Sequence, residues 1–392
     1  RPRTHAHWDP EDVAFWAMTG RRVAVRNLVI SIAALFLAFA VWMAWSVVAL
    51  RLPAVGFRLT TDQLFWLAAL PGLTGATLRI FYSFMVPILG GRRFTVLTTA
   101  SLVVPAVGMG VAVQDPATPY WVLVLLACLA GLGGGNFASS MTHISYFFPK
   151  RLKGTALGLN AGLGNLGVSG VQLVVPLVVG ASLFGRPGGA PQVAYEADVT
   201  RLVWLQNAAY VWVPLVVLAA LAAWLGLDDI ASAKASFRDQ AVVFRRKHTW
   251  LLSSLYFGTF GSFIGFSAGL ALLARSEFPD VDLARWAFVG PALGALTRPI
   301  GGWLADRLGG ARVTLATFAV MIAGALGVVA TLPHSSYRGS APGFLAAFLV
   351  LFAASGIGNG SVYRMIPIVF STLRLRDAGD GADAKAVAQR EA

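Results

Sequence analysis

Charge is what this sequence has least of. Asp, Glu, Lys and Arg make up 12% of its 392 residues while 57% are hydrophobic, and a soluble domain carries about 25% charge. So little polar side chain cannot cover so much apolar surface, which excludes a soluble globular fold. Acid is scarcer still: there are 18 Asp and Glu against 31 Lys and Arg, and every carboxylate falls in a predicted loop, tail or helix end. The single cysteine, Cys128, excludes an intrachain disulfide and a cysteine-based metal site, and reads as a small buried apolar residue. The five histidines are scattered. Only His143 sits inside an apolar run, where a hydrogen-bonded structural role is expected ahead of a proton relay. With no Ser/His/Asp constellation and no metal-ligand spacing, neither a metal, a cofactor nor an enzyme activity is expected.

What is present is apolar length. Mean hydropathy is +0.68, and ten apolar runs approach the roughly 20 residues that cross a bilayer as helix. They fall near 28–50, 62–89, 94–114, 119–148, 153–182, 201–226, 249–274, 284–306, 312–332 and 342–372. The fold class is therefore an all-α polytopic membrane protein embedded in a lipid bilayer. Several runs contain proline, as at Pro71, Pro87, Pro176 and Pro299, so kinked helices are expected.

Lys and Arg divide unevenly between the two ends of these runs. The N-terminus and the even-numbered connections hold 21 of the 31, among them Arg21, Arg22, Arg26, Arg92, Arg93, Lys150, Arg151, Arg245 and Arg246. Positive residues stay inside, which predicts that both termini are cytoplasmic and that the membrane is the cell's inner membrane. The same count explains the net charge of +13, so no nucleic-acid partner is invoked. Residues 1–27 read as a cytoplasmic segment with a capped helix start at Asp9–Asp12 and an interfacial aromatic cluster of Trp8, Phe15 and Trp16. Residues 28–228 form the first half, 229–248 a charged linker, 249–372 the second half and 373–392 a polar tail.

Two arginines break the pattern. Arg79 and Arg298 each lie inside an apolar run with no acidic residue nearby in sequence, 219 residues apart. A lone arginine at mid-membrane costs about 2.5–3.5 kcal/mol even on insertion scales, so each needs something negative to face. Their surroundings align at that same offset: LTGATLRIFYSFMVPILGGRRFTVLT around Arg79 against ALGALTRPIGGWLADRLGGARVTLAT around Arg298. Two fused copies of one unit, each carrying an anion-facing arginine, follow from the alignment. Residues 162–167, GLGNLG, satisfy GxGxxG, but they lie within an apolar helix and not after a strand, so no dinucleotide site is expected.

The loop GGWLADRLGGARV places Gly302, Asp306, Arg307, Gly309 and Arg312 in the pattern GxxxDRxGxxR, which resembles the signature loop of the major facilitator superfamily. The first copy keeps only Gly90, Gly91 and Arg93. The text from 131 to 180, GLGGGNFASSMTHISYFFPKRLKGTALGLNAGLGNLGVSGVQLVVPLVVG, resembles the nitrate signature of the nitrate/nitrite porter family within that superfamily, and the likeness extends to WDPED, QNAAYVWVPL and GIGNGSVYRMIPIVF. From the residues alone, Gly154, Gly158 and Gly162, spaced by four, read as a helix-packing face.

That resemblance implies two pseudo-symmetric six-helix halves, a central site at the midplane and transport of nitrate and nitrite by a monomer. It implies that Arg79 and Arg298 bind the anion, that Phe137 and Phe260 sandwich it, and that Tyr256 and Asn165 supply polar contacts. Asp306, Arg307, Gly309 and Arg312 would serve the gate. Arg364 is left open between snorkelling, a gate pair and a substrate contact. With no carboxylate inside a span, exchange of nitrate for nitrite is favoured over proton symport; transport of another small anion stays open. The family has twelve spans and this chain offers ten, so the sequence reads as truncated, and exchange is expected to need the last two.

Overall fold

The computed structural model describes residues 4–196, 199–231, 236–333 and 339–377. Ten long helices follow one another: α1 Val13–Arg51, α2 Thr61–Leu89, α3 Gly91–Ala112, α4 Tyr120–Ser145, α5 Lys150–Val178, α6 Asn207–Gly226, α7 Lys247–Glu277, α8 Val289–Leu308, α9 Gly310–Thr331 and α10 Ala341–Asp377. Among the described residues, nine are long and apolar enough to cross a membrane. The eighth expected span, α8, falls short in apolarity because Arg298, Asp306 and Arg307 all lie in its 20 residues.

Local chemistry sets the helix ends. Thr60 opens α2 with a reciprocal cap: its hydroxyl accepts from the Gln63 amide at 3.2 Å, and the Gln63 side chain accepts from the Thr60 amide at 2.9 Å. Asp12 caps α1 by accepting from the Ala14 and Phe15 amides at 2.8 and 3.2 Å. Residues 13–20 are thus no separate interfacial helix. They pass through a wide turn at Trp16–Gly20 straight into the rest of α1, because Trp16 is buried against Phe148 and Trp8 packs edge-on to Phe147. Burying two indoles in this way outweighs leaving them at an interface.

Two further departures concern the ends of elements. Residues 201–203, expected inside the sixth span, belong to a β-hairpin in which β2, Gln192–Glu196, pairs antiparallel with β3, Val199–Val203. In β2 the buried Ala194 lies between the exposed Val193 and Tyr195, an alternation of period two where a helix would need 3.6. The residues expected as a polar tail from 373 continue α10 to Asp377; residues 378–392 lie outside the described residues, as do Arg1, Arg3, Asp198, Lys234 and Arg338. A two-residue strand β1, Thr4–His5, pairs parallel with β4, Asp229–Ile230.

The chain separates into two compact units, one of residues up to Gln240 with Ile264–Ala292, the other of Ala241–Phe263 with Leu293 onward. In the first unit α1 is the buried centre, packed against α4, α5 and α6; Phe39, Trp42 and Trp45 are at most 1% exposed. Trp42 ties this centre to α2, its Nε1 donating to the Pro71 carbonyl at 2.5 Å. Close approach of α1 and α5 depends on Gly167, where an added Cβ would lie 2.0 Å from the Phe36 carbonyl oxygen. Gly154 and Gly158 have nothing within 4 Å of such an atom. The packing expected of them therefore falls instead on Gly164 and Gly167, because the former pair lies on an open face of α5, while Ala156 and Asn160 between and after them are buried. In the second unit α9 packs along α10, and α10 meets α8 where a Cβ on Gly360 would lie 2.0 Å from the Arg298 carbonyl oxygen.

Candidate functional site

In the first unit, α2 carries Arg79 to the glycine-rich start of the buried part of α4. Arg79 Nε donates to the Gly134 carbonyl at 2.9 Å. Its guanidinium carbon sits 4.9 Å from the centre of the Phe137 ring and 5.3 Å from that of Trp42. Phe137 in turn stacks on Phe39, with ring centres 6.1 Å and planes 14° apart. The glycines make this possible: a Cβ on Gly134 would reach within 2.5 Å of the Trp42 ring. A cation held by one carbonyl and two aromatic faces is fixed in plane, and cation–π contacts of this kind are worth about 0.5–2 kcal/mol each.

Arg79 and Phe137, paired from the resemblance, are thus in contact. Asn165 is 1% exposed on α5, and its Oδ1 has no hydrogen-bond partner among the described residues. An amide oxygen buried without a partner costs about 1–3 kcal/mol.

In the second unit Arg298 is 4% exposed, with its guanidinium 5.5 Å from the centre of the Tyr363 ring. Tyr256 and Phe260 stack at 5.3 Å and 14°, and Phe260 continues the stack to Phe263 at 5.8 Å and 25°. Phe260 lies in a widened helical turn, Phe257–Gly261, a bulge of the kind that re-aims side chains at functional positions. Below this set Asp306 Oδ1 accepts from Arg364 Nε at 2.6 Å. Arg364 is therefore a salt-bridge partner of the signature aspartate. Arg307 lies with its guanidinium 4.2 Å over Trp303, Gly309 turns the chain at φ 88°, and Arg312 is exposed in the first turn of α9.

Three aromatic residues here went unnoticed in the sequence: Phe39, Trp42 and Tyr363. The signal for the first two was available. Phe39 and Trp42 lie three apart in the first helix of one half, as Phe260 and Phe263 do in the first helix of the other, at an offset of 221. His143, left open between structural and proton-carrying roles, is 2% exposed with Nε2 3.3 Å from Asn27 Oδ1, and packs edge-on to Phe147.

Glycine-packed helices carrying arginines inside apolar spans are the architecture of a membrane transporter, and residues 30–375 match the Major Facilitator Superfamily. The chain belongs to that superfamily and, within it, to the nitrate/nitrite porters. It is 51% identical to the nitrate/nitrite transporter NarU of Escherichia coli (strain K12) over 370 residues, 94% of this chain and 79% of that protein. It is 47% identical to the probable nitrate/nitrite antiporter NarK2 of Thermus thermophilus, over 93% of this chain and 82% of that one. Among solved structures it shares the fold of the xylose transporter XylE from E. coli in a partially occluded inward open conformation. The TM-score is 0.62 at 14% identity, covering 88% of this chain and 84% of that one.

Proposed function

We propose that this protein carries nitrate and nitrite across the cell's inner membrane by alternating access, exchanging one for the other. The relatives named above are a nitrate/nitrite transporter and a probable nitrate/nitrite antiporter at 51% and 47% identity. The observation that carries the reading is the Arg79 set: a guanidinium held by the Gly134 carbonyl and faced by Phe137 and Trp42. Nitrate and nitrite are flat oxyanions, so a planar guanidinium donates paired hydrogen bonds to them, and aromatic faces disfavour tetrahedral ions of similar charge. In the second unit Arg298, faced by Tyr363, and the Tyr256–Phe260 stack supply the same residue types.

Energetics select exchange. Bringing one monovalent anion into a cell that is negative inside costs about 2.3 kcal/mol per 100 mV, whereas trading nitrate for nitrite moves no net charge. Symport would need a proton carrier among the buried groups. Both termini are assigned to the cytoplasm by the Lys and Arg distribution, and a single chain holds both arginine sets, so the working unit is read as a monomer.

Proteoliposomes loaded with nitrite and challenged with labelled nitrate test this. Exchange that ignores an imposed voltage and an imposed pH gradient is the expected result. Uptake driven by a pH gradient into vesicles without internal nitrite would replace the antiport reading with symport.

A further inference from the structure

The loop between α2 and α3 and the loop between α8 and α9 share one backbone turn but not one source of carboxylate. Gly90 has φ 89° and ψ 139°, and Gly309 has φ 88° and ψ 129°, a left-handed turn that glycine adopts without strain. In the second loop Asp306 stands three residues before that glycine and binds Arg364. At the 219-residue offset the first loop has Pro87 in its place, so by sequence the first signature loop has lost its acid.

A carboxylate is nevertheless seated in the first loop, delivered from the end of α6. Asp229 Oδ1 accepts from the Arg92 backbone amide at 2.9 Å, and a Cβ on Gly90 would lie 3.0 Å from Asp229 Oδ2. That amide belongs to the first turn of α3, where helix N–H groups lack intrahelical partners and the helix end is positive. Arg92 reaches back in return: its Nε donates to the Trp224 carbonyl at 3.0 Å and its guanidinium lies 4.6 Å over the Trp224 ring.

The neighbouring residue ties down the remaining helix ends. Asp228 is 4% exposed, forms an ion pair with Arg26 on α1 and accepts from Asn27 Nδ2 at 3.1 Å. The Asp228 amide donates to Asn27 Oδ1 at 2.9 Å, and that oxygen lies 3.3 Å from His143 Nε2 on α4. Two consecutive aspartates therefore join α1, α3, α4 and α6 at one end of the first unit.

We propose that Asp229 is the signature-loop carboxylate of the first half, supplied across space by α6 because the loop no longer encodes it. It is a positioning residue: it touches no substrate, and it holds the Gly90 turn so that the first half's helix ends move together during the transport cycle. The comparison rests on the gating reading of Asp306, so that residue is tested beside it.

The experiment uses the full chain in nitrite-loaded proteoliposomes, with nitrate affinity measured separately on the purified protein. D229A is expected to keep nitrate affinity within about twofold while exchange turnover falls at least about tenfold, D229E to recover part of it, and P87D/D229A, which returns the acid to the loop, to recover at least about a third. Turnover near the unmodified level in D229A overturns the proposal, as does a folded, nitrate-binding P87D/D229A no faster than D229A. Should D229A fail to fold, the isosteric D229N takes its place, and unchanged turnover there is equally fatal. A D306N protein that exchanges normally would remove the gating role of Asp306 while leaving the Asp229 result standing on its own.

Discussion

The guanidinium of Arg79 lies 4.9 Å from the ring centre of Phe137, and its Nε is tied 2.9 Å from the carbonyl of Gly134 on the same helix as that ring. One helix thus sets both the plane and the rotation of the cation. A lysine ammonium has neither a plane to stack nor a fork to orient. Arg79→Lys and Arg298→Lys should each weaken nitrate binding roughly ten- to a hundredfold, the range of one charged hydrogen bond at about 1.5–3 kcal/mol. Titration calorimetry of the purified variants measures this, and unchanged affinity in both would sink the assignment of the two arginines.

Phe137→Ala should cost selectivity as well as affinity. Phe137 is 5% exposed and stacked on Phe39, so its removal opens a space beside the cation and loses about 0.5–2 kcal/mol of cation–π attraction. Competition of sulfate against nitrate binding should be negligible in the unmodified protein and become measurable in the variant. A variant that binds nitrate more weakly yet still rejects sulfate would show that the ring does not set shape discrimination.

Trp42→Phe keeps the ring and loses the donor. The bond from Trp42 Nε1 to the Pro71 carbonyl, 2.5 Å long, ties α1 to the middle of α2. Its loss should lower stability by about 1 kcal/mol with little change in nitrate affinity, read from thermal unfolding in detergent beside a binding curve.

Glycines of the same helix type should respond in opposite ways. Gly360→Ala forces a Cβ to within 2.0 Å of the Arg298 carbonyl, which only a shift of α10 away from α8 can relieve, at about 1–3 kcal/mol. Gly154→Ala, with nothing within 4 Å, should be silent or slightly stabilising through helix propensity. Equal thermal midpoints for the two would contradict the packing described for α8 and α10.

The Asp306–Arg364 pair separates stability from motion. The two side chains are 50% and 44% exposed, so the bridge contributes about 0–1 kcal/mol to folding. Asp306→Asn should leave the thermal midpoint nearly unchanged while altering exchange turnover, and the swapped pair D306R/R364D should restore it. Turnover that is unaffected by either change would confine the bridge to a surface role.

Much of this protein was determined by the sequence alone. Composition dictated a membrane-spanning helical chain, since 12% charge and runs of apolar residues admit no other folded state. The 219-residue repeat marked Arg79 and Arg298 as equivalent, because a bare charge in an apolar run is conspicuous without any knowledge of contacts. What only the tertiary structure decided is who meets these residues. Phe39 and Trp42 went unnoticed in the sequence, and only the packing of α1 brings them to Phe137 and Arg79. Gly154 and Gly158 matched a packing stripe that the structure instead draws at Gly164 and Gly167, since spacing defines a face but not its neighbour. Residues 201–203 were absorbed into a span, because their pairing with Gln192–Ala194 is formed only across the fold. Asp229 gave no sign of belonging to a loop 137 positions earlier. Helix burial, charge and repetition are local in sequence and legible there; a hydrogen bond between distant segments exists only once packing has brought its two ends together.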